Sequence, residues 1–257
     1  MKIFANPKNN HNELQQDLDK IFDWSERWLI PLNGGKCKVL HLGKKNPALE
    51  YTIGNNTMQK TRTQTDLGVI ISQDLKWEKH IAVITKRANK IMYLIRKAFV
   101  NLYVKLAREV FKTYVRPVLE YASPVWKPYY KKDIKLLETP QKRVTKIPKI
   151  TRHQNYDDRC RKFKLPTLEE RRNRLDLIVT YKIINEHYDV EELKSIFSHS
   201  AERGLRGHTR RLHKERVYTN HRAHFISNRV VNNWNNLTMS CVQAKNLIAF
   251  KRCLDGY

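Results

Sequence analysis

The 257-residue chain carries 50 lysine and arginine residues against 25 aspartate and glutamate residues, a formal net charge of +25. This excess indicates an anionic partner, for which we expect DNA and/or RNA first and an acidic membrane surface second. The apolar runs fall far short of the roughly 20 residues that a membrane-spanning helix needs, so we expect no membrane insertion.

The start of the chain has no signal-peptide pattern, so we expect an intracellular protein of the nucleus and/or cytoplasm rather than a secreted one. The four cysteines lack metal-knuckle spacing and are too few for a disulfide scaffold. We therefore interpret them as reduced thiols; they are Cys37, Cys160, Cys241 and Cys253. The sequence leaves the oligomeric state open.

The first 75 residues combine one helix with short strands. Apolar residues at helical spacing predict a helix over residues 12–28, which Asn33-Gly34-Gly35 ends with a turn. Further predicted elements are a strand over residues 37–42, a hairpin of residues 50–53 and 57–61 across Gly54-Asn55-Asn56, and a strand over residues 66–71.

From Lys76 onwards the pattern becomes helical. A narrow apolar seam predicts one long helix, with Trp77, Ile81, Ile84, Ala88, Ile91, Ile95 and Ala98 on one side. Further helices are predicted over residues 102–115, 133–146, 157–163, 168–187, 190–197, 221–235 and 243–254. The fold class is α+β and mostly helical, with regions 1–75, 76–197 and 198–257.

Between these helices lies a corner rich in proline and aromatic residues. Pro117, Pro124 and Pro128 prevent a single helix from crossing residues 114–130. The aromatic and aliphatic side chains between them predict a buried corner where several helices meet. Within the helix of residues 133–146, Pro140 predicts a kink or a restart.

Two blocks of the sequence carry a family resemblance. Residues 116–126 (RPVLEYASPVW), Glu138 and residues 141–143 (QKR) resemble the region downstream of the polymerase core in reverse transcriptases of non-LTR retrotransposons, both jockey-like and LINE-like. Residues 2–4 (KIF), 33–37 (NGGKC) and 66–69 (DLGV) resemble the palm of these enzymes. The resemblance implies the remnant of a palm, then an all-helical thumb and a helical C-terminal region; residues 225–235 extend it.

The family's catalytic aspartate pair has no counterpart in this resemblance. In these enzymes two adjacent aspartates hold Mg²⁺ and directly precede a segment like residues 2–4, which here follow Met1. We therefore expect no catalytic residue, no metal site and no cofactor in this chain, although the intact family enzyme uses Mg²⁺. The pair Asp157 and Asp158 fits a helix start instead, where acidic side chains suit the helix dipole.

Lys36 matches a lysine that in related polymerases can protonate the leaving pyrophosphate. Without the aspartates that role is idle, so a solvated turn lysine is the preferred interpretation. A histidine site for zinc is disfavoured, because cysteine and acidic ligands at metal spacing are absent.

Nucleic-acid binding is predicted from basic surfaces. Residues 141–174 carry a net charge of +8 and residues 198–229 a net charge of +6. By resemblance, Asp66, Leu67 and Gly68 fall in the segment that grips the primer end, although an ordinary strand glycine fits Gly68 equally well. The predicted contacts to phosphates are Lys76, Lys79, Lys86, Arg87, Lys90, Lys142, Arg143, Arg171 and Arg172.

The resulting hypothesis is a truncated reverse transcriptase, an RNA-directed DNA polymerase fragment of a mobile element. It would bind primer–template nucleic acid through the backbone without sequence preference, and it would be inactive as an enzyme by itself. One alternative is a host nucleic-acid-binding or interaction module derived from such an element. A basic protein of the membrane surface is a third.

Overall fold

A computed structural model describes residues 11–43, 46–99, 102–200 and 208–256. The chain divides into two compact units, Met1–His80 and Ile81–Tyr257. The architecture is α+β and mostly helical, as predicted. Resemblance-based assignments at residues 2–4 lie outside the described residues.

The first unit contains one long helix and short strands. Helix α1 (His11–Arg27) precedes β1 (Lys38–Leu40), β2 (Thr52–Ile53), β3 (Asn56–Thr57), β4 (Gln59–Thr61), β5 (Thr63–Asp66) and β6 (Val69–Ser72). In the described part of the chain these strands form three two-stranded sheets: β1–β4 is parallel, and β2–β3 and β5–β6 are antiparallel. Leu18, Tyr51 and Ile53 form the small core under α1.

The predicted hairpin across Gly54 is present but shorter than expected, because β2 and β3 pair only Thr52 with Thr57 and Ile53 with Asn56. The predicted second strand over residues 57–61 is wrong beyond Thr57, since Gln59–Thr61 forms β4 and pairs with β1. Gly54 has a φ of +55°, and a Cβ atom there would lie 2.5 Å from the Phe22 ring. The turn therefore needs glycine both for its left-handed backbone and for the space under α1.

The predicted strand over residues 66–71 is wrong at its start. Asp66 ends β5 and pairs with Val69 of β6, so Leu67 and Gly68 form a two-residue hairpin turn. Both turn residues have positive φ, 43° and 81°, as the tight hairpin turns that suit sheet twist require. Gly68 therefore supplies a turn conformation rather than a strand position.

Helices dominate the rest of the chain. In chain order they are α2 (Glu78–Ala98), α3 (Val104–Val110), α4 (Arg116–Glu120), α5 (Ser123–Trp126), α6 (Lys131–Val144), α7 (Tyr156–Phe163), α8 (Leu168–Ile184), α9 (Glu191–Lys194), α10 (Asn220–Ala223), α11 (Ile226–Arg229), α12 (Val231–Asn235), α13 (Met239–Val242) and α14 (Leu247–Asp255). A π-helical turn, Phe111–Val115, joins α3 to α4.

The proline corner interrupts the helical path where predicted. Helix α4 ends at Glu120, Ala122 adopts a left-handed φ of 51°, and α5 then begins with Pro124 in its first turn. Leu119 and Trp126 are fully buried there, and the Trp126 indole N–H donates to the Tyr121 carbonyl at 2.7 Å. Tyr121, Val125 and Tyr130 are exposed, so the prediction of a buried corner is wrong for these three side chains. The expected restart at Pro140 is wrong, because α6 continues past this buried proline to Val144.

Helix α8 organises the core of the second unit. Its buried residues Leu177, Ile178 and Tyr181 pack with Trp234 and Phe250 of the C-terminal helices in one apolar cluster. The predicted helix over residues 221–235 is wrong, because the structure breaks it into α10, α11 and α12. Phe225 has an extended backbone, with ψ of 149°, and this ends one helix and caps the next.

The cysteine interpretation is wrong for one pair. Cys241 and Cys253 form a disulfide with a Cα–Cα distance of 5.6 Å, which links α13 to α14. The two residues are 12 positions apart, and the turn between α13 and α14 brings them together. Cys37 and Cys160 are free thiols. Within residues 11–43, 46–99, 102–200 and 208–256, none of the helices is long and apolar enough to cross a membrane.

Candidate nucleic-acid interface

Helix α2 buries one line of apolar side chains and exposes its basic residues, as its sequence predicts, although Val83, Tyr93 and Leu94 are exposed as well. Its buried line consists of Ile81, Ile84, Ala88, Met92 and Ile95. Four predicted phosphate contacts on this helix have exposed side chains: Lys79, Lys86, Arg87 and Lys90. Sequence reasoning missed Met92 and placed Ile91, which is half-buried, in the seam.

The basic residues of α2 lie in a stretch without acidic residues. No aspartate or glutamate occurs between residues 79 and 108. Glu78, in the first turn, is the one acidic residue of the helix. The exposed cations of α2 therefore have no carboxylate three or four residues away on the same helix with which they could form an ion pair.

Helix α6 brings a second predicted group of cations to α2. Arg143 donates from Nη1 to the side-chain oxygen of Asn89 at 2.9 Å. Asn89 lies between Arg87 and Lys90 in the sequence of α2, so this hydrogen bond places the end of α6 beside the basic part of that helix. The structure thus brings together two groups that are more than 50 residues apart in the sequence.

The chain after Arg143 continues this basic surface. Residues 139–156 contain no aspartate or glutamate. Every lysine and arginine in this stretch has an exposed side chain: Lys142, Arg143, Lys146, Lys149 and Arg152. We call these five residues together with Lys86, Arg87 and Lys90 the basic surface.

Two of the predicted arginine contacts do not belong to the basic surface. Arg171 forms a bidentate ion pair with Glu120, with Nη2 to Oε2 at 2.9 Å. Arg172 is 2% exposed, and burial lowers the pKa of its guanidinium. A phosphate contact at either position would require breaking an ion pair or opening the core, so we remove both from the predicted contacts.

The predicted primer-gripping residues lie in the first unit. Asp66, Leu67 and Gly68 form the end of β5 and the hairpin turn, and the Leu67 side chain is 81% exposed. Lys76 precedes α2 and lies 3.9 Å from a carboxylate oxygen of Asp74. Their geometry is that of a surface turn, and their role in binding remains a prediction.

The adjacent aspartates occupy a helix start, as predicted. Asp157 and Asp158 lie in the first turn of α7, where the Asn155 side chain accepts from the Asp158 N–H at 2.8 Å. Asp158 also pairs with Arg161 at 2.5 Å. Among the described ranges no cluster of three or more histidine, cysteine or acidic residues could hold a metal ion.

Tyr156 joins the basic surface to the core. Its hydroxyl donates to buried Glu138, which also accepts from the Leu168 N–H at 3.1 Å. Burial and the Glu138 carboxylate raise the pKa of Tyr156 far above its usual range, so the phenol stays protonated. The ammonium group of Lys142 lies over the Tyr156 ring at 5.1 Å, which positions it at the surface.

Sequence reasoning missed a buried ionic cluster behind the proline corner. Asp176 of α8 accepts from the Lys127 Nζ at 2.7 Å and from the Arg229 Nε and Nη2 at 2.9 and 2.7 Å. Arg229 also donates to the Pro124 carbonyl at 2.7 Å. The cluster therefore joins the proline corner, α8 and α11. An acidic residue within the apolar run of residues 175–179 (LDLIV) was the available signal, since such a residue needs a buried partner.

We expect the first unit to lose stability on acidification through His80. Its side chain is 2% exposed, and its Nδ1 accepts from the Ile70 N–H at 3.3 Å. Burial lowers the pKa of His80, so the folded state binds this proton less readily than the unfolded state. The stabilisation is therefore complete above the unfolded pKa of about 6.5 and decreases as the pH falls below it.

Hydrogen exchange of the β6 amides at pH 7.5 and 5.5, corrected for intrinsic rates, tests this expectation. Protection should fall on acidification in the wild type and change less in His80→Ala. The exposed residue His153 provides the control His153→Ala, which should behave like the wild type. The difference in protection between wild type and His80→Ala should therefore become smaller at pH 5.5. A difference that stays the same or grows would contradict the role of His80.

Comparison with known proteins finds two partial similarities. The chain is 29% identical over 145 residues to an uncharacterized protein of Caenorhabditis elegans, covering 53% of this chain and 70% of that protein. It is 28% identical over 118 residues to the RNA-directed DNA polymerase from mobile element jockey of Drosophila funebris, covering 44% of this chain and 13% of that protein. No family model and no solved structure matches. Over part of its length the chain is therefore similar to a retrotransposon RNA-directed DNA polymerase.

Proposed function

We propose that this chain is a nucleic-acid-binding fragment derived from a non-LTR retrotransposon reverse transcriptase. It corresponds to the part of the polymerase that follows the catalytic aspartate turn. It binds DNA or RNA duplexes through their phosphates and without sequence preference. The partial similarity to the jockey polymerase supports the origin.

The basic surface is the observation that carries the binding proposal. It combines exposed cations of α2 with those of residues 142–152, joined at the Arg143–Asn89 hydrogen bond. None of the ion pairs found among the described residues includes a cation of the basic surface. Lysine and arginine groups that are not paired internally can neutralise phosphates along a nucleic-acid backbone.

Backbone contact without base contact predicts equal affinity for unrelated sequences. Two duplexes of the same length and different base composition should bind within about twofold of each other, because phosphates carry no direct sequence information. Fluorescence anisotropy of labelled duplexes measures both affinities under one buffer condition. A preference of tenfold or more for one sequence would contradict backbone binding.

The proposal also assigns no polymerase activity to the chain by itself. The one adjacent aspartate pair in the sequence, Asp157 and Asp158, starts helix α7 instead of sitting in a strand-turn-strand. Primer extension with Mg²⁺ or Mn²⁺ should therefore give no incorporation of nucleotides. Extension that is lost in the double variant Asp157→Asn, Asp158→Asn would overturn this part of the proposal.

A further inference from the structure

Four rings from two distant parts of the chain meet beside the proline corner. Tyr129 and Tyr130 precede α6, whereas His221 and His224 belong to α10 and its C-terminal end. The Tyr129 ring stacks on the His224 ring with centroids 4.3 Å apart and planes 1° apart, and it lies 4.3 Å from the Tyr130 ring. The His221 ring approaches the edge of Tyr129 at 6.5 Å. We call these four residues the ring cluster.

The ring cluster has a half-buried centre and an exposed periphery. Tyr129 and His224 are half-buried, whereas Tyr130 and His221 are exposed. None of the four belongs to the apolar cluster around α8. Tyr130 and His221 therefore present aromatic surface to solvent, and the stacked rings of Tyr129 and His224 lie beneath them.

The inner histidine stays uncharged at neutral pH. Burial lowers the pKa of His224, and the positive charges of Arg229 and Lys127 lower it further. A neutral imidazole stacked flat on a tyrosine extends the aromatic surface without adding a charge that would need a partner.

Cations flank the ring cluster. Lys131 follows Tyr130 directly and is exposed. On the other side, the guanidinium of Arg222 lies 5.5 Å over the ring of Phe225, which is 43% exposed. Arg222 also forms a bidentate ion pair with Glu215, with Nε and Nη2 each 2.9 Å from a carboxylate oxygen, so Lys131 is the cation that we expect to contact phosphate. Exposed rings next to basic groups form the combination that binds single-stranded nucleic acid, where bases stack on rings and cations meet phosphates.

We infer that the ring cluster binds the unpaired bases of single-stranded nucleic acid. This inference rests on the proposed function and adds a second contact to it, since the basic surface follows paired backbones. Bases within a duplex cover each other's faces, so a stacking site selects strands whose bases are free. A chain that holds duplex and single strand at separate places would bind a primer–template junction through both.

The test compares oligo(dT) and oligo(U) of 20 nucleotides with a blunt duplex, all against the full chain. The double variant Tyr130→Ala, His221→Ala removes the two exposed rings and leaves the inner stack. It should bind both single strands roughly tenfold more weakly, the effect of losing one stacked base or more. Its affinity for the duplex should stay within about twofold of wild type.

Two matched variants separate stacking from folding. Tyr130→Phe keeps the ring and should bind the single strands as well as wild type. Tyr218→Ala removes a tyrosine that is 96% exposed and lies outside the ring cluster, and it should have no effect. Melting temperatures of Tyr130→Phe and Tyr218→Ala should match the wild type. That of the double variant should fall only slightly, because Tyr130 is 37% exposed and loses its packing on Tyr129.

The outcomes distinguish this inference from the proposed function. Wild-type binding to the duplex but not to single strands would overturn the inference alone, as would a double variant that binds single strands like wild type. Equal losses for duplex and single strand in the double variant would also overturn it. Wild-type binding to none of these ligands would overturn the proposed function and the inference together.

Discussion

Asp176→Ala should lower the free energy of unfolding by about 3 to 5 kcal/mol, the usual cost of removing one partner from a buried ion pair. Asp176 is 2% exposed and is the carboxylate that holds Lys127 and Arg229. Burial alone already lowers the pKa of Lys127, and the Asp176 carboxylate opposes that shift. Alanine would leave two cations, whose side chains are only 14% and 9% exposed, without their counter-ion and would loosen the proline corner from α8 and α11.

Urea denaturation with a matched surface pair tests this expectation. Arg174, also on α8, pairs with Asp255 at 2.8 Å, and the Asp255 side chain is 64% exposed. Asp255→Ala should cost no more than about 1 kcal/mol, as exposed ion pairs do. A loss of 1 kcal/mol or less in Asp176→Ala would show that the ionic cluster does not hold these elements together.

Long periodic elements were predictable from the sequence. Helix α2 needed no tertiary information, because its apolar residues repeat every three or four positions over 21 residues. Helix α7 was predictable at its start, since Asn155 is a good N-cap and two aspartates follow it. The hairpin at Gly54 was predictable because glycine next to asparagine favours a tight turn.

Elements of four or five residues were not predictable, because tertiary packing determines them. Helices α10, α11 and α12 were expected as one helix. Phe225 separates the first two by its extended backbone, and no glycine or proline near this position indicates the break. Neither was the Cys241–Cys253 disulfide expected, since linear spacing does not show which thiols approach each other.

The sequence predicted that the candidate site is basic, but not which lysine and arginine residues form it. Arg143 and Arg172 both follow from the same basic composition, yet one is exposed beside α2 and the other is buried. Composition does not show whether an arginine on a helix faces the core or the solvent, because the side-chain direction changes by about 100° from one residue to the next. The ionic cluster at Asp176 was missed because its partners lie about 50 residues away in each direction.

Reversing four charges on α2 should have the largest effect on binding. The substitutions Lys79→Glu, Lys86→Glu, Arg87→Glu and Lys90→Glu change exposed side chains only, so the buried line of the helix should keep its packing. Every duplex should bind more weakly to the same extent, since the lost contacts are to phosphates. A control variant changes four exposed lysines elsewhere to glutamate and has the same net charge: Lys20, Lys38, Lys60 and Lys245.

The measurement that tests the account most directly is duplex affinity across a salt series for the wild type and these two variants. If six to ten phosphates are contacted, wild-type affinity should fall by about 10³ to 10⁵ between 50 and 200 mM salt. The α2 variant should show a slope of log affinity against log salt that is shallower by about 3 to 4, whereas the control should keep most of the wild-type slope. Wild-type affinity that does not change with salt concentration would contradict phosphate binding by the basic residues of α2. An α2 variant that binds with wild-type affinity and slope would contradict it as well.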